Sequence, residues 1–76
     1  MLKKTVLTFH PSSKQWGFTL QHRWVPMHCG ERFGIVVTGR RVGCRLEMDR
    51  DWYVELADDI RFILHPRTAY TVYVDA

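Results

Sequence analysis

The residues of this chain best suited to chemistry are its histidines and cysteines. His28 and Cys29 are adjacent, and His22 and His65 lie elsewhere in the sequence. Imidazole nitrogen and thiolate sulfur are typical zinc ligands. The sequence therefore suggests a zinc site made of Cys29, His28, His65 and His22, or one to which two chains each contribute a pair. The spacing matches no standard zinc motif, so a packed Cys29 with solvent-exposed histidines is the alternative.

A thiol beside a base is also the starting point of nucleophilic catalysis. Cys29 with His28 or His65 and Asp49 would supply the atom types. Adjacent side chains of a strand point apart, however, and a chain of 76 residues has little room for a substrate cleft. We therefore expect a non-enzymatic protein.

Arginine and tryptophan dominate the positions suited to binding a macromolecule. Both residue types are enriched at protein–protein hot spots, and Arg23 and Trp24 lie in a segment that contains a proline. The alternative for Trp24 is that it caps one end of the barrel as part of the core. Arg40 and Arg41, followed by Arg45, form a basic cluster at a predicted hairpin tip. Such a tip can lie against nucleic-acid phosphates, or it can be a solvated turn. These five residues are the candidate partner contacts.

Short alternating strands must position these residues. Apolar side chains recur at every second position in most of the chain, which is typical of half-buried strands. We predict seven strands, at 3–10, 15–20, 33–37, 42–48, 52–56, 60–64 and 70–74. Pro26 makes 21–30 a connecting loop or an edge segment. The simplest closure is a small, strongly bent antiparallel barrel of the SH3-like kind, which leaves little exposed edge.

Two hairpins give this fold its predicted register. In the first hairpin, Phe9 pairs with Trp16, and Gly17 marks a bulge or the close approach of another segment. In the central hairpin, a two-residue turn at Gly39-Arg40 places glycine where φ must be positive. That turn sets three further pairs: Val37 with Val42, Ile35 with Cys44, and Phe33 with Leu46. In an up-and-down order of strands, the proposed zinc ligands share one end of the barrel.

The composition describes one small domain, residues 1–76. A chain this short buries only about 60% of its unfolded surface, so a metal, a dimer interface or a partner would help to stabilise it. The net charge of +3 excludes a DNA mimic. Two cysteines are too few for a disulfide framework, and we expect two free thiols. The sequence shows neither a membrane span nor a signal peptide, so we expect the cytoplasm of a bacterial host cell.

Three short motifs carry a resemblance that covers residues 7–75. The tripeptide HCG at 28–30, the segment RLEMD at 45–49 and DWY at 51–53 resemble a family of small bacterial domains of unknown function. That family is carried largely on phages, plasmids and conjugative elements. The chain departs from it after the central turn, where members often have Trp-Val-Pro and this sequence has RRVG at 40–43. The resemblance implies a mobile-element accessory protein with no known catalysis.

These expectations combine into one leading hypothesis and one alternative. The leading hypothesis is a zinc-supported β-barrel that binds and inhibits a host defence protein, with a CRISPR effector nuclease as the first target to consider, that is, an anti-CRISPR protein. The alternative is a small nucleic-acid-binding accessory protein that uses the basic hairpin tip. Salt separates the two, because phosphate binding weakens steeply as salt rises, whereas an interface built on Trp24 should not. Either protein would be a monomer or a homodimer.

Overall fold

The computed structural model describes residues 1–75, apart from the side chain of Asp58. The predicted all-β class is confirmed: the described chain consists of β-strands and one short 3-10 turn. The strands are β1 Leu2–His10, β2 Gln15–Leu20, β3 Arg23–Pro26, β4 Arg32–Val37, β5 Arg40–Met48, β6 Trp52–Glu55, β7 Arg61–Ile63 and β8 Tyr70–Asp75. The 3-10 turn covers Ala57–Asp59. Strand β3 lies within 21–30, for which the sequence predicts a connecting loop or an edge segment.

All eight strands form one antiparallel sheet in the order β3-β2-β1-β8-β4-β5-β6-β7. Strands β1–β3 and β4–β7 are two consecutive meanders, and β8 returns between β1 and β4 to join them. This central position of β8 replaces the predicted up-and-down order. In the described residues the sheet does not close into a barrel, because β3 and β7 remain its two edges. The expectation of a closed SH3-like barrel is therefore corrected to an open sheet.

The two hairpins test the predicted registers. The first is confirmed, since Phe9 pairs with Trp16 and Leu7 with Phe18. The central register is wrong by two residues. Its turn consists of Thr38 and Gly39, both with positive φ (48° and 77°), which is the type I′ geometry that suits the twist of paired strands. The observed pairs are Val37 with Arg40, Ile35 with Val42 and Phe33 with Cys44.

The inward face of the sheet survives this error, because a shift of two residues keeps every side chain on its original side. The side chains that are fully buried come from both meanders, from β8 and from the β3–β4 connection: Leu7, Trp16, Met27, Ile35, Leu46, Val54 and Val72. Each contributes about 1.5–3 kcal/mol of transfer free energy. The core is therefore shared across the whole sheet.

The sheet curls so that its two meanders meet at one end. The indole N–H of Trp52, at the start of β6, donates to the carbonyl of Lys14 in the β1–β2 turn at 3.2 Å. Met27, in the connection between β3 and β4, donates its backbone N–H to the carbonyl of Trp16 at 2.8 Å and fills the core between the meanders. The opposite side of the sheet, called the outer face below, carries the side chains that alternate with the buried ones, among them Trp24, Arg41 and Tyr73.

Nothing helical in residues 1–75 has the length and apolarity needed to cross a membrane.

Candidate functional site

The tripeptide at 28–30 forms a tight turn that leads into β4. The N–H of Glu31 donates to the carbonyl of His28 at 3.2 Å, and Gly30 has φ of 90°, as the third residue of a type II turn requires. Gly30 then donates to the carbonyl of Leu46 at 2.7 Å, while Leu46 donates to the carbonyl of Glu31 at 3.0 Å. This pattern is a G1 bulge, which needs glycine at its first position. The motif therefore has a structural explanation.

The histidine and the cysteine of this turn have different surroundings. One carboxylate oxygen of Glu31 lies 3.1 Å from both the backbone nitrogen and the ring Nδ1 of His28. Cys29 is exposed, and Cys44 is buried on the inner side of β5. Burial raises the pKa of the Cys44 thiol to about 12, so this group stays protonated at neutral pH. The prediction of two free thiols is confirmed.

The predicted zinc ligands do not come together within one chain. Among the residues whose side chains are described, no three His, Cys, Asp or Glu side chains are placed so that they could hold a metal ion. β8 runs antiparallel to both β1 and β4, so the strand directions on which that prediction depended are kept. Sharing an end of the sheet is not enough to bring the described side chains within reach of one ion. A zinc ion held by His28 and Cys29 of two chains stays a prediction.

Trp24 lies flat on the outer face instead of standing free as a contact residue. A side chain at Gly17 would come within 2.5 Å of the Trp24 ring and still closer to the carbonyl oxygen of Val25, so only glycine leaves room for the indole. The far side of Trp24 stacks on His10 of β1, with ring centroids 4.6 Å apart. The predicted close approach at Gly17 is thus confirmed. Arg23, the neighbouring candidate, is exposed on the edge strand β3.

Arg41 is placed by a second glycine of the outer face. A Cβ atom at Gly34 would lie 3.0 Å from Cγ and 3.2 Å from Cδ of Arg41, so the side chain crosses β4 directly over the glycine backbone. Its guanidinium reaches Tyr73 of β8, with the central carbon 4.7 Å from the ring centroid. Tyr73 is half-buried and Arg41 is exposed, so the guanidinium forms the outer layer of this stack.

Arg45 is held by two carboxylates and is not a free cation. Its Nη2 lies 2.6 Å from Glu55 and its Nε lies 2.5 Å from Glu47. Arg32 stands opposite Arg45 across the β4–β5 ladder. Among the side chains that are described, no carboxylate forms an ion pair with Arg32, Arg40 or Arg41.

A depression surrounds Gly43, which pairs with Gly34 and has nothing within 4 Å of the position a Cβ would take. On one side of Gly43 it holds about 680 Å³ and reaches Glu55 and Asp59. On the other side it holds about 350 Å³ and reaches Arg41 and Tyr73. Arg32 lines both parts, so the depression has cations along its length, with Glu55 and Asp59 at one end and Asp75 at the other.

The five candidate contacts therefore divide into two groups. Arg23 and Trp24 lie on edge strand β3, whereas Arg40, Arg41 and Arg45 lie on β5, with four strands between them. Arg41 lines the depression, whereas Arg40 has the parity of Val42 and Cys44 and therefore lies on the inner side of the hairpin tip. Sequence reasoning missed Arg32 and the role of Gly34. Their signal was the occurrence of glycines at outward positions on both strands of an arginine-rich hairpin.

Together these features define a small all-β domain with an arginine- and tyrosine-bearing sheet face. The chain matches the family model described as Domain of unknown function (DUF5348) over residues 5–74, and it belongs to that family. This confirms the expected membership in a family of unknown function, whereas carriage on mobile elements stays a prediction. No curated protein and no solved structure matches the chain.

Proposed function

We propose that this protein is a non-enzymatic binding module whose outer face takes single-stranded nucleic acid across strands β8, β4 and β5. The observation that carries the proposal is the Arg41 guanidinium stacked 4.7 Å from the Tyr73 ring centroid, beside Arg32 and an open depression. Proteins that bind single strands combine aromatic or guanidinium planes for the bases with cations for the backbone.

The stacked pair offers a plane for one base. Because Arg41 is exposed, a base can stack on the outer side of its guanidinium while Tyr73 supports the inner side. Gly43 leaves the neighbouring surface without a side chain, so a sugar and its phosphate can approach β5 closely there. This surface, called the platform below, therefore combines the Arg41–Tyr73 stack with the open position at Gly43 and with the neighbouring cation Arg32.

The charges around the platform favour an anionic ligand. Lys4 pairs with Tyr73 in the β1–β8 ladder and is exposed on the same face. The nearest carboxylate along this row is Asp75, which is already paired with the N-terminal ammonium at 3.0 Å. Arg32 and Lys4 are therefore available for phosphates.

The proposal is tested by fluorescence anisotropy with a labelled oligothymidylate of about 12 nucleotides, titrated at several salt concentrations. Binding should weaken with salt, with log K falling by about 0.7 per phosphate contact for each unit of log salt. Arg41→Ala should weaken binding about fivefold or more and make this slope shallower. Arg67→Ala is the matched control, because Arg67 is exposed in the β7–β8 connection, apart from the platform residues. Equal losses in both variants would reject the assignment.

A protein partner with an acidic surface is the second candidate, since exposed arginines also suit carboxylates. This keeps the expected inhibitor of a host defence protein, including an anti-CRISPR inhibitor of a CRISPR effector nuclease, as a proposal. Exposed Arg41 and Arg32 would then form the contact, with Arg40 reached only at the hairpin tip, and Trp24 would contribute only through its packing. A CRISPR interference assay with wild-type protein and Arg41→Ala tests it, and full interference in the presence of the wild-type protein would reject it.

A further inference from the structure

A second cavity lies away from the outer face, where the two meanders meet at the end of the curled sheet. It holds about 370 Å³ between the β1–β2 turn, the β5–β6 turn and the segment after β7. Its walls are mainly apolar and include Phe9, Trp16, Trp52, Met48 and Pro66. A cavity of this size and lining is the usual form of a site for a small organic molecule.

The aromatic walls favour a ligand that carries a ring. Phe9 and Trp16 are tilted against each other with centroids 5.5 Å apart, and Trp52 closes the opposite side. Aromatic pairs in such tilted or offset arrangements contribute about 0.5–1.5 kcal/mol each beyond the area that they bury. A third ring can therefore enter this arrangement with the same geometry.

The two tryptophans of the cavity differ in how their indole N–H groups are satisfied. The N–H of Trp52 donates to the carbonyl of Lys14, but the buried N–H of Trp16 has no partner among the described residues. Buried indole N–H groups usually find a partner. The N–H signal of Trp16 should therefore respond to anything that changes this end of the core.

The charged side chains at the opening of the cavity determine whether an anionic or a cationic ligand is favoured. Lys14 and Arg50 stand there as exposed cations, and Asp51 is the single carboxylate among the lining residues. We infer that this cavity binds a small aromatic carboxylate, with the ring between Phe9 and Trp52 and the carboxylate at Lys14 and Arg50. This site is separate from the outer face and does not depend on the nucleic-acid proposal.

The test is a two-dimensional NMR titration of the full chain with three matched probes. The probes are 3-phenylpropionate, phenethylamine, which replaces the anion with a cation, and propionate, which lacks the ring. A ligand of this size should bind with a Kd on the order of 1 mM. 3-Phenylpropionate should shift the indole signals of Trp16 and Trp52 with saturation and bind about fivefold more tightly than phenethylamine, and propionate should shift neither signal.

Variants of the exposed residues at the cavity opening distinguish the effect of charge on binding from an effect on folding. The double variant Lys14→Ala/Arg50→Ala should retain the fold and lose the preference for the anion over the cation. The control Arg23→Ala removes an exposed cation at the far edge strand and should leave that preference unchanged. The proposal is overturned if no saturable shift appears at ten times the expected Kd, if the two aromatic probes bind equally to the wild-type chain, or if the double variant keeps the preference.

Discussion

Gly17 and Gly34 occupy comparable places in the two meanders, and both are covered in the same way. In each case a long side chain from the next strand lies over the glycine and stacks on an aromatic ring of the strand beyond. At Gly17 the cover is Trp24, which reaches His10. At Gly34 the cover is Arg41, which reaches Tyr73.

The two side chains that lie over these glycines differ in chemistry, and the space between each side chain and its glycine differs as well. The Trp24 ring and the Val25 backbone lie so close to Gly17 that no other residue fits, whereas the closest atoms to Gly34 are flexible carbons of Arg41. In the first meander, Gly17 therefore allows the apolar Trp24 ring to pack on the outer face. In the second meander, Gly34 allows the cationic Arg41 side chain to lie there. The comparison teaches that one backbone arrangement can serve stability or binding, according to the side chain that crosses it.

The largest effect should follow Gly17→Ala. The new methyl group would overlap the Trp24 ring and the Val25 carbonyl, so backbone as well as side chain must move. Overpacking of this kind costs about 2–3 kcal/mol, which lowers the Tm of a chain this short by roughly 10–20 °C. Thermal unfolding followed by circular dichroism measures the change. A Tm within a few degrees of wild type would mean that β3 is not tightly packed on β2.

Trp24→Ala should have the next largest effect on stability. Removal of a half-buried indole uncovers Gly17 and costs about 2 kcal/mol of unfolding free energy, while oligonucleotide binding stays at the wild-type level. Urea denaturation and the anisotropy titration measure the two quantities. The comparison fails if Trp24→Ala abolishes binding in a protein that is still folded.

Gly34→Ala should give a smaller loss of stability and a clear loss of binding. The methyl group would lie 3.0 Å from Cγ of Arg41, so the flexible side chain must move away from Tyr73. We expect a cost of about 0.5–1 kcal/mol, the value of an exposed cation–π contact. Oligonucleotide affinity should fall about as far as in Arg41→Ala. Unchanged affinity would show that the position of Arg41 over Gly34 is irrelevant to binding.

Gly43→Ala is the smallest expected change and has the opposite sign. Nothing lies near its Cβ position, and alanine restricts the unfolded chain more than glycine does. Stability should rise by about 0.5 kcal/mol, measured by urea denaturation. A loss of stability would show that the open depression beside Arg32 is filled by some group of the protein.

The sequence predicts sides of strands well and strand partners less well. Alternation placed Leu7, Phe33 and Ile35 on the inward face correctly, because the period of two is local. The central turn was misplaced because Thr38 takes positive φ, which its residue type does not suggest. The position of β8 could not be derived either, since antiparallel strands of similar pattern fit several orders.

The candidate site was predictable only in part. Arg40 and Arg41 follow from the basic hairpin tip, and Trp24 from its segment with Pro26. That Trp24 is packed and Arg45 is neutralised depends on neighbours from other strands, namely Gly17 and Glu55. The expected group of zinc ligands does not form among the described residues of one chain, because strand direction alone does not give the distances between side chains at the ends of a curled sheet.

Chemical-shift mapping with unlabelled oligothymidylate tests the central claim most directly, because it reports each backbone amide of the folded chain at once. The account predicts that the largest shifts cluster on the outer face at Gly34, Arg41, Gly43 and Tyr73, and that they fade as salt is raised. Arg23 and Trp24, on the far edge strand, should scarcely move. Shifts concentrated on β3, or spread evenly over the surface, would contradict the assignment of the binding face.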